Sequence, residues 1–281
     1  MALPRFNYVV VDTNLVRKAA VIDPLLAEFR GSGQIIMLPW TAMYEYYRKN
    51  TSTFWASVEH LTKEPDAVAF AQPTMEIFRN VELRYRRVAS DVTAPAQTKN
   101  IRKLLRNFRD GTIDYDLADR ALATATTNAK KHIMAWEGVL RNLTKLYRSV
   151  ATTQTAAIRT AFLAGNRGPL LHALNTFLST SKIAEILAAM PIRGKLIGKV
   201  TARRLAERPT FATLMMLAIG IRSYEWALRQ GVESAKGLVN DGIDIESILI
   251  ALYGKDFIST DVRAMELYAS LLVLADMRWP T

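Results

Sequence analysis

The sequence predicts an α/β fold in which a small parallel sheet is assembled from both ends of the chain, with a large all-helical insertion between them. Three observations carry this. Two short apolar runs, Tyr8 to Val11 and Ile35 to Leu38 in GQIIMLPW, read as strands buried on both faces, with a helical segment between them. From about Thr51 to about Lys236, helix-forming residues dominate and strand-like alternation nearly vanishes. Near the end, DFIST, Asp256 to Thr260, reads as one more strand between two helical segments. The expected domains are a discontinuous core, residues 1–50 and 236–281, and a helical insertion, residues 51–235.

The elements follow in order. After the first strand, LVRKAAVIDPLLAEFRGSG has helical periodicity and stops at Gly31-Ser32-Gly33. After Pro39, WTAMYEYYRKN starts another helix with Thr41 as its expected N-cap and Glu45 one turn inside. The insertion is broken at Pro73, Pro95, Gly111, Gly165 to Pro169, Pro191 to Gly194 and Pro209, and no fixed-period repeat supports a solenoid. DIESILIALYG, Asp244 to Gly254, reads as a helix with an acidic start and a glycine stop, and DVRAMELYASLLVLA as the final helix. Trp55, Trp136 and Trp226 are expected to pack within the helical region.

Composition narrows the chemistry. The 281 residues carry 37 Lys and Arg against 26 Asp and Glu, a net charge of +11, which favours a polyanionic partner. There is no cysteine, which removes disulfides, zinc–thiolate sites and cysteine nucleophiles. His60, His132 and His172 stand far apart, so any metal must be held by carboxylates. The start, MALPRFNYVV, has no signal-peptide pattern, and the longest apolar run, Phe211 to Ile221, falls short of the roughly 20 residues of a membrane span. The expected setting is soluble and cytoplasmic, without membrane contact.

Ligands of open α/β sheets bind outside the carboxyl ends of the strands. Asp12 lies just past the first strand and Asp261 just past the last; Glu45 sits in the helix after the second strand, and Asp244 opens the helix that leads into the last. Asp12, Asp244 and Asp261 also stand where a helix begins, and aspartate is a favoured N-cap, so each has a purely structural explanation. Glu45, inside MYEYYR, has no capping role; its structural explanation is an exposed helix position. What distinguishes them is that four acids spanning nearly the whole chain point to one sheet edge.

A strand ending in Asp12-Thr13-Asn14, a second strand followed by a helix carrying Glu45, and the terminal DIESILIALYGKDFISTD together resemble the PIN domain family of metal-dependent nucleases. The resemblance covers roughly the first 50 and last 45 residues. In that family an acid opens the penultimate helix and a serine or threonine shortly precedes the last acid, positions that Asp244, and Ser259 or Thr260 with Asp261, would fill here. Asp241 is an alternate for Asp244, and Asp256 a supporting acid. The resemblance implies a PIN-like three-layer core and a Mg²⁺- or Mn²⁺-dependent ribonuclease, with Asp12 and Asp261 as direct ligands, Glu45 and Asp244 binding directly or through water, and Asn14 and Thr260 orienting water or phosphate.

The chemistry is consistent with such a set, because one or two divalent ions acting as Lewis acids offset carboxylates that would otherwise repel one another. Basic clusters surround the expected site. From Arg79 to Arg109 there are nine cations, including Arg84, Arg86, Arg87, Arg102, Lys103 and Arg106; from Arg193 to Arg208 there are six, including Arg203 and Arg204. They suit an RNA backbone; the plainer alternative is a solvated helix face. Tyr44, Tyr46 and Tyr47 flank Glu45 as stacking candidates or core residues.

The leading expectation is a metal-dependent endoribonuclease, in the setting of a toxin or defence effector restrained by an inhibitory protein partner. The alternatives are a catalytically inactive PIN-like nucleic-acid-binding or interaction scaffold, and a helical interaction module supported by the α/β part.

Overall fold

A computed structural model describes residues 6–47, 51–77, 92–153, 156–164, 166, 191–192, 195–196, 211–229 and 235–276. In chain order the elements are β1 (Tyr8–Val11), α1 (Thr13–Val16), α2 (Ala19–Phe29), β2 (Ile35–Leu38), α3 (Ala42–Tyr47) and α4 (Thr51–Val58). Two short 3₁₀ segments lead into β3 (Val68–Phe70), followed by α5 (Thr74–Ile77), α6 (Pro95–Arg109), α7 (Tyr115–Thr153) and α8 (Ala156–Leu163). After β4 (Pro191–Ile192) and β5 (Lys195–Leu196) come α9 (Phe211–Arg229), α10 (Ala235–Ala251), β6 (Asp256–Ile258) and α11 (Val262–Asp276). Among the described residues, no helix is long and apolar enough to cross a membrane.

Four strands form one all-parallel sheet in the order β3-β2-β1-β6. The two ends of the chain therefore do meet: Val9, Val10 and Val11 pair with Asp256, Phe257 and Ile258. β1 is a continuous apolar run because both its faces are covered. Val9 and Val11 join a core with Ile36, Leu38, Val68 and Phe70, onto which α2, α3, α4 and α6 pack. The opposite face carries Tyr8, whose hydroxyl donates to the Ile250 carbonyl at 2.7 Å, and Phe257, whose ring meets Tyr268 of α11 edge-on at 5.6 Å.

Three expectations are corrected. The insertion is not all-helical: β3 lies within it and pairs with β2, and β4 pairs with β5 in a short antiparallel ladder. The segment expected to be one helix after β1 is two, divided at Arg17 and Lys18. Asp244 does not open a helix, since α10 starts at Ala235. In addition, Thr41 stands before α3, but its buried hydroxyl has no hydrogen-bond partner among the described residues, so it does not cap the described first turn of α3.

The chain divides into two compact units. The sheet unit comprises Pro4–Met134 and Glu246–Tyr268; the other comprises Met1–Leu3, Ala135–Ile245 and Ala269–Thr281. This differs from the expected domains chiefly in giving residues 51–134 to the sheet. The reason is β3 and α6: Phe70 N–H donates to the Thr98 hydroxyl at 3.0 Å, Ala94 N–H to Phe70 O at 2.8 Å, and Arg102 Nε to Val68 O at 2.7 Å. These bonds occupy backbone groups on the outer edge of β3 that would otherwise invite another strand. In the second unit, α9 is buried on almost every side, and Gly242 of α10 accommodates Trp136, whose Cβ lies 2.8 Å from where a glycine-to-alanine Cβ would stand.

The chain-end junction within the sheet unit centres on Tyr8. Lys255 N–H donates to Tyr8 O at 2.7 Å, Phe6 N–H donates to Tyr253 O at 2.6 Å, and Gly254 lies against the Tyr8 ring. A Cβ on Gly254 would sit 2.6 Å from a Tyr8 ring carbon and 2.7 Å from its carbonyl oxygen. Gly254→Ala is therefore expected to destabilise the sheet unit by about 1–3 kcal/mol through overpacking, read as a lower urea midpoint. An unchanged midpoint would mean that Tyr8 yields freely.

A second prediction concerns His132 of α7 and Glu246 of α10. Glu246 is fully buried, and its carboxylate lies 3.5 Å from His132 Nε2. Burial opposes the imidazolium, but the bond to and charge of Glu246 outweigh it, and the His132 pKa is raised. A raised folded-state value gives stability that is fully present below the unfolded value of about 6.5 and is lost as pH rises through the folded one. Thermal midpoints should thus fall across that window in the wild type, and Glu246→Gln should remove that dependence.

Candidate active site

At the carboxyl end of β1 the chain turns into α1, and Asp12 occupies the cap. Its Oδ1 accepts the Asn14 N–H at 3.0 Å, and its own N–H donates to Ile258 O at 2.9 Å. The capping role expected for Asp12 is therefore real. It uses one carboxylate oxygen; the other, Oδ2, accepts the Ser259 hydroxyl at 2.6 Å. Ser259 follows β6 directly, so this bond joins residues from opposite ends of the sequence.

Ser259 Oγ also accepts the Asp261 N–H at 3.0 Å, and Asp261 Oδ1 accepts the Ala264 N–H at 3.0 Å, making Asp261 the cap of α11. Asp261 and Thr260 are exposed, as is Asn14. On the other side of Asp12, the buried Thr13 hydroxyl donates to Glu45 Oε2, and Arg17 Nη2 donates to Glu45 O at 3.4 Å. Glu45 is accordingly half-buried and hydrogen-bonded, not a free surface residue. Two hydrogen-bonded groups thus meet at the Asp12-Thr13 step of the chain: Thr13 with Glu45, and Asp12 with Ser259 and, through Ser259, Asp261. Thr13 was not among the candidate site residues, although its place in the Asp-Thr-Asn turn was the available signal.

Tyr46 sits beneath this corner. Its side chain is fully buried, and its hydroxyl has no hydrogen-bond partner among the described residues. Burial first, then the charges of Glu45 and Asp12, push the phenol pKa well up, while Arg17 opposes them. Tyr46 therefore remains a protonated O–H donor within the field of both carboxylates. An orphaned buried donor of this kind is costly unless something supplies its partner. Tyr47, by contrast, donates to Asp119 Oδ1.

No family model, curated protein or solved structure matches this chain.

The expected set of four metal-binding acids contracts under this geometry. Among the described residues, no group of three or more His, Asp or Glu is arranged to hold a metal ion. Asp241 and Asp244 belong to the second unit, where Asp241 accepts Trp226 Nε1 and lies 3.8 Å from Arg222 Nε, and where both acids help hold the buried Arg222 charged. Asp256 forms the first residue of β6 and accepts its neighbour Phe257 N–H at 2.7 Å. What remains at the edge is the Asp12–Glu45 corner, with Asp261 beyond Ser259.

A smaller set still fits a hard divalent cation. Mg²⁺ is usually held by one or two carboxylates, the remainder of its shell being waters and substrate phosphates. The Asp12 carboxylate has lone pairs beyond those its described hydrogen bonds use, and the donors Ser259 and Thr13 fix the orientation of Asp12 and Glu45.

Of the expected phosphate-binding cations, Arg84, Arg86, Arg87, Arg203 and Arg204 lie outside the described residues. The remaining three are on α6. Arg102 is committed to the Val68 carbonyl and Arg106 to the Asp66 carboxylate, whereas Lys103 is exposed. Lys99, Arg102 and Arg106 border a cavity of about 430 Å³ with Asp66. Part of the basic stripe thus serves the sheet edge, and Lys99 and Lys103 are its exposed remainder.

Proposed function

We propose that the carboxyl edge of the sheet is the active site of a divalent-metal-dependent endoribonuclease on a PIN-like core. The observation that carries this reading is the Ser259–Asp12 hydrogen bond together with the Thr13–Glu45 bond. They bring Ser259 onto Asp12 from the opposite end of the sequence, and Thr13, the next residue, onto Glu45, at the edge where α/β folds bind ligands. The net charge of +11 and the exposed Lys99 and Lys103 favour a phosphate-rich substrate.

Asp12 and Glu45 would hold the ion, while Asp261, whose N–H donates to Ser259, caps α11. Bound there, Mg²⁺ or Mn²⁺ supplies Lewis-acid charge and a water of lowered pKa. The chain's own groups do the rest. Ser259 and Thr13 donate to the carboxylates and fix their orientation; Arg17 brings positive charge beside Glu45; the Tyr46 hydroxyl offers a proton-bearing donor that no described residue satisfies.

The test is direct. Purified protein incubated with single-stranded RNA and Mn²⁺ is expected to cleave it internally, and EDTA is expected to stop the cut. Lack of cleavage of every RNA and DNA offered would end the enzymatic reading. The absence of a three-acid group among the described residues favours one alternative, an inactive nucleic-acid-binding scaffold. That alternative predicts RNA binding without cleavage in the same tubes.

A further inference from the structure

At the carboxyl ends of β2 and β3, a cavity of about 310 Å³ opens between the sheet and two helices, at the lower end of the ~300–1,000 Å³ typical of small-ligand sites. Its inner surface is apolar: Trp40, Met43, Phe70, Ile101, Leu104 and Leu122. Trp40 and Phe70 meet edge-on, ring centroids 6.1 Å apart at 74°. Three exposed carboxamides stand at the cavity, Gln97 and Asn100 from α6 and Asn128 from α7, and they make no hydrogen bond to any described residue. No charged side chain among the described residues lines it.

This combination specifies a ligand. An apolar, aromatic-lined slot selects a flat group, and the lack of charge excludes a phosphate or carboxylate from the interior. Unpaired carboxamides, each both donor and acceptor, match the mixed donor–acceptor edge of a nucleobase. A cation stands outside the slot, the exposed Lys103, one helical turn from Asn100 on the same helix, whereas Lys99 borders the other cavity. The division of labour is that of a nucleotide, with its neutral base inside and its phosphate outside. Position adds to the argument: the slot lies at the carboxyl ends of β2 and β3, and the acidic corner at that of β1, which neighbours β2 in the same parallel sheet.

We propose that this cavity takes an unpaired base of the RNA strand, next to the phosphate presented to Asp12 and Glu45. The inference rests on the nuclease reading and names the subsite that fixes the strand's register. It makes single-stranded RNA the preferred substrate, because a base stacked in a duplex cannot enter the slot.

The experiment uses the full chain and a short fluorescein-labelled single-stranded RNA. Anisotropy gives binding in EDTA, and gel analysis gives cutting in Mn²⁺. Trp40→Leu and Asn100→Leu are each expected to raise Kd, the former by about fivefold to a hundredfold, as loss of base–aromatic stacking does. An RNA carrying abasic sites should bind the wild type correspondingly weakly. Asn100 is exposed, so its variant and the abasic RNA keep the test valid if Trp40→Leu fails to fold. If the wild type cuts RNA while both variants and the abasic strand behave as wild type, the base pocket is wrong and the nuclease reading stands. If the wild type neither binds nor cuts any RNA, the nuclease reading falls and the pocket with it.

Discussion

Asp12→Asn is expected to take RNA cleavage below detection while leaving the sheet folded. The side chain has two separable duties. As a cap it needs one acceptor for the Asn14 N–H, and an asparagine oxygen supplies one. As a metal holder it needs a full negative charge and a second oxygen that accepts the Ser259 hydroxyl, and the amide has neither. The stability cost should be about 1–3 kcal/mol, the range for a hydrogen bond to a charged group, visible as a modest drop in the thermal midpoint. Ser259→Ala provides the comparison. It leaves the charge and removes only the donor that aims it, so a loss of about 10–100-fold is expected, as for groups that orient metal ligands. The order, Asp12→Asn far below Ser259→Ala, is what a catalytic carboxylate predicts. If the Asp12→Asn protein is folded and cuts at the wild-type rate, Asp12 is a cap and nothing more.

How far the sequence could be read depended on which elements announce themselves locally. β1 and β2 were legible because a strand buried on both faces must be apolar throughout, and YVVV and IIML are. β3 was not, because Val-Ala-Phe between Pro65 and Pro73 is too short to display any period; it is a strand because β2 offers it an edge and α6 occupies its other one. The start of α10 was misread for a related reason. Asn240, Asp241 and Gly242 look like a turn, but the glycine admits Trp136, and Asp241 is satisfied by Trp226. Tertiary contact overrode local propensity there, at a cost of about 1 kcal/mol for a mid-helix glycine relative to alanine.

The candidate site was legible in its acids and opaque in their connections. Asp12 and Asp261 could be found from strand ends, and Ser259 from its spacing to Asp261. Thr13 could not be given a role, because its hydroxyl bonds a residue 32 positions away. Likewise, Arg102 counts as one cation among nine until its guanidinium is seen to close a strand edge.

The largest stability effect is expected at a residue that carries none of the proposed chemistry. Arg222 lies in the middle of α9, within LAIGIRSYEW, with no exposed surface. Its Nη1 donates to Glu225 at 2.8 Å, its Nε lies 3.8 Å from Asp241, and Glu225 and Asp241 are themselves buried. Burial disfavours the guanidinium's charge, but Glu225, Asp241 and Asp244 outweigh it and hold it firmly protonated. Arg222→Leu would remove the cation that faces the two buried carboxylates, Glu225 and Asp241. The expected loss is about 3–5 kcal/mol, a large share of the ~5–15 kcal/mol by which domains are stable. Replacing Glu225 by leucine as well should restore part of that loss, because a buried ion pair can be exchanged for apolar packing far more cheaply than it can be broken. Urea unfolding of the two variants measures both quantities. A single variant within about 1 kcal/mol of wild type would show that water or rearrangement reaches these acids, while a double variant no better than the single would locate the stabilisation in Asp241 instead of Glu225.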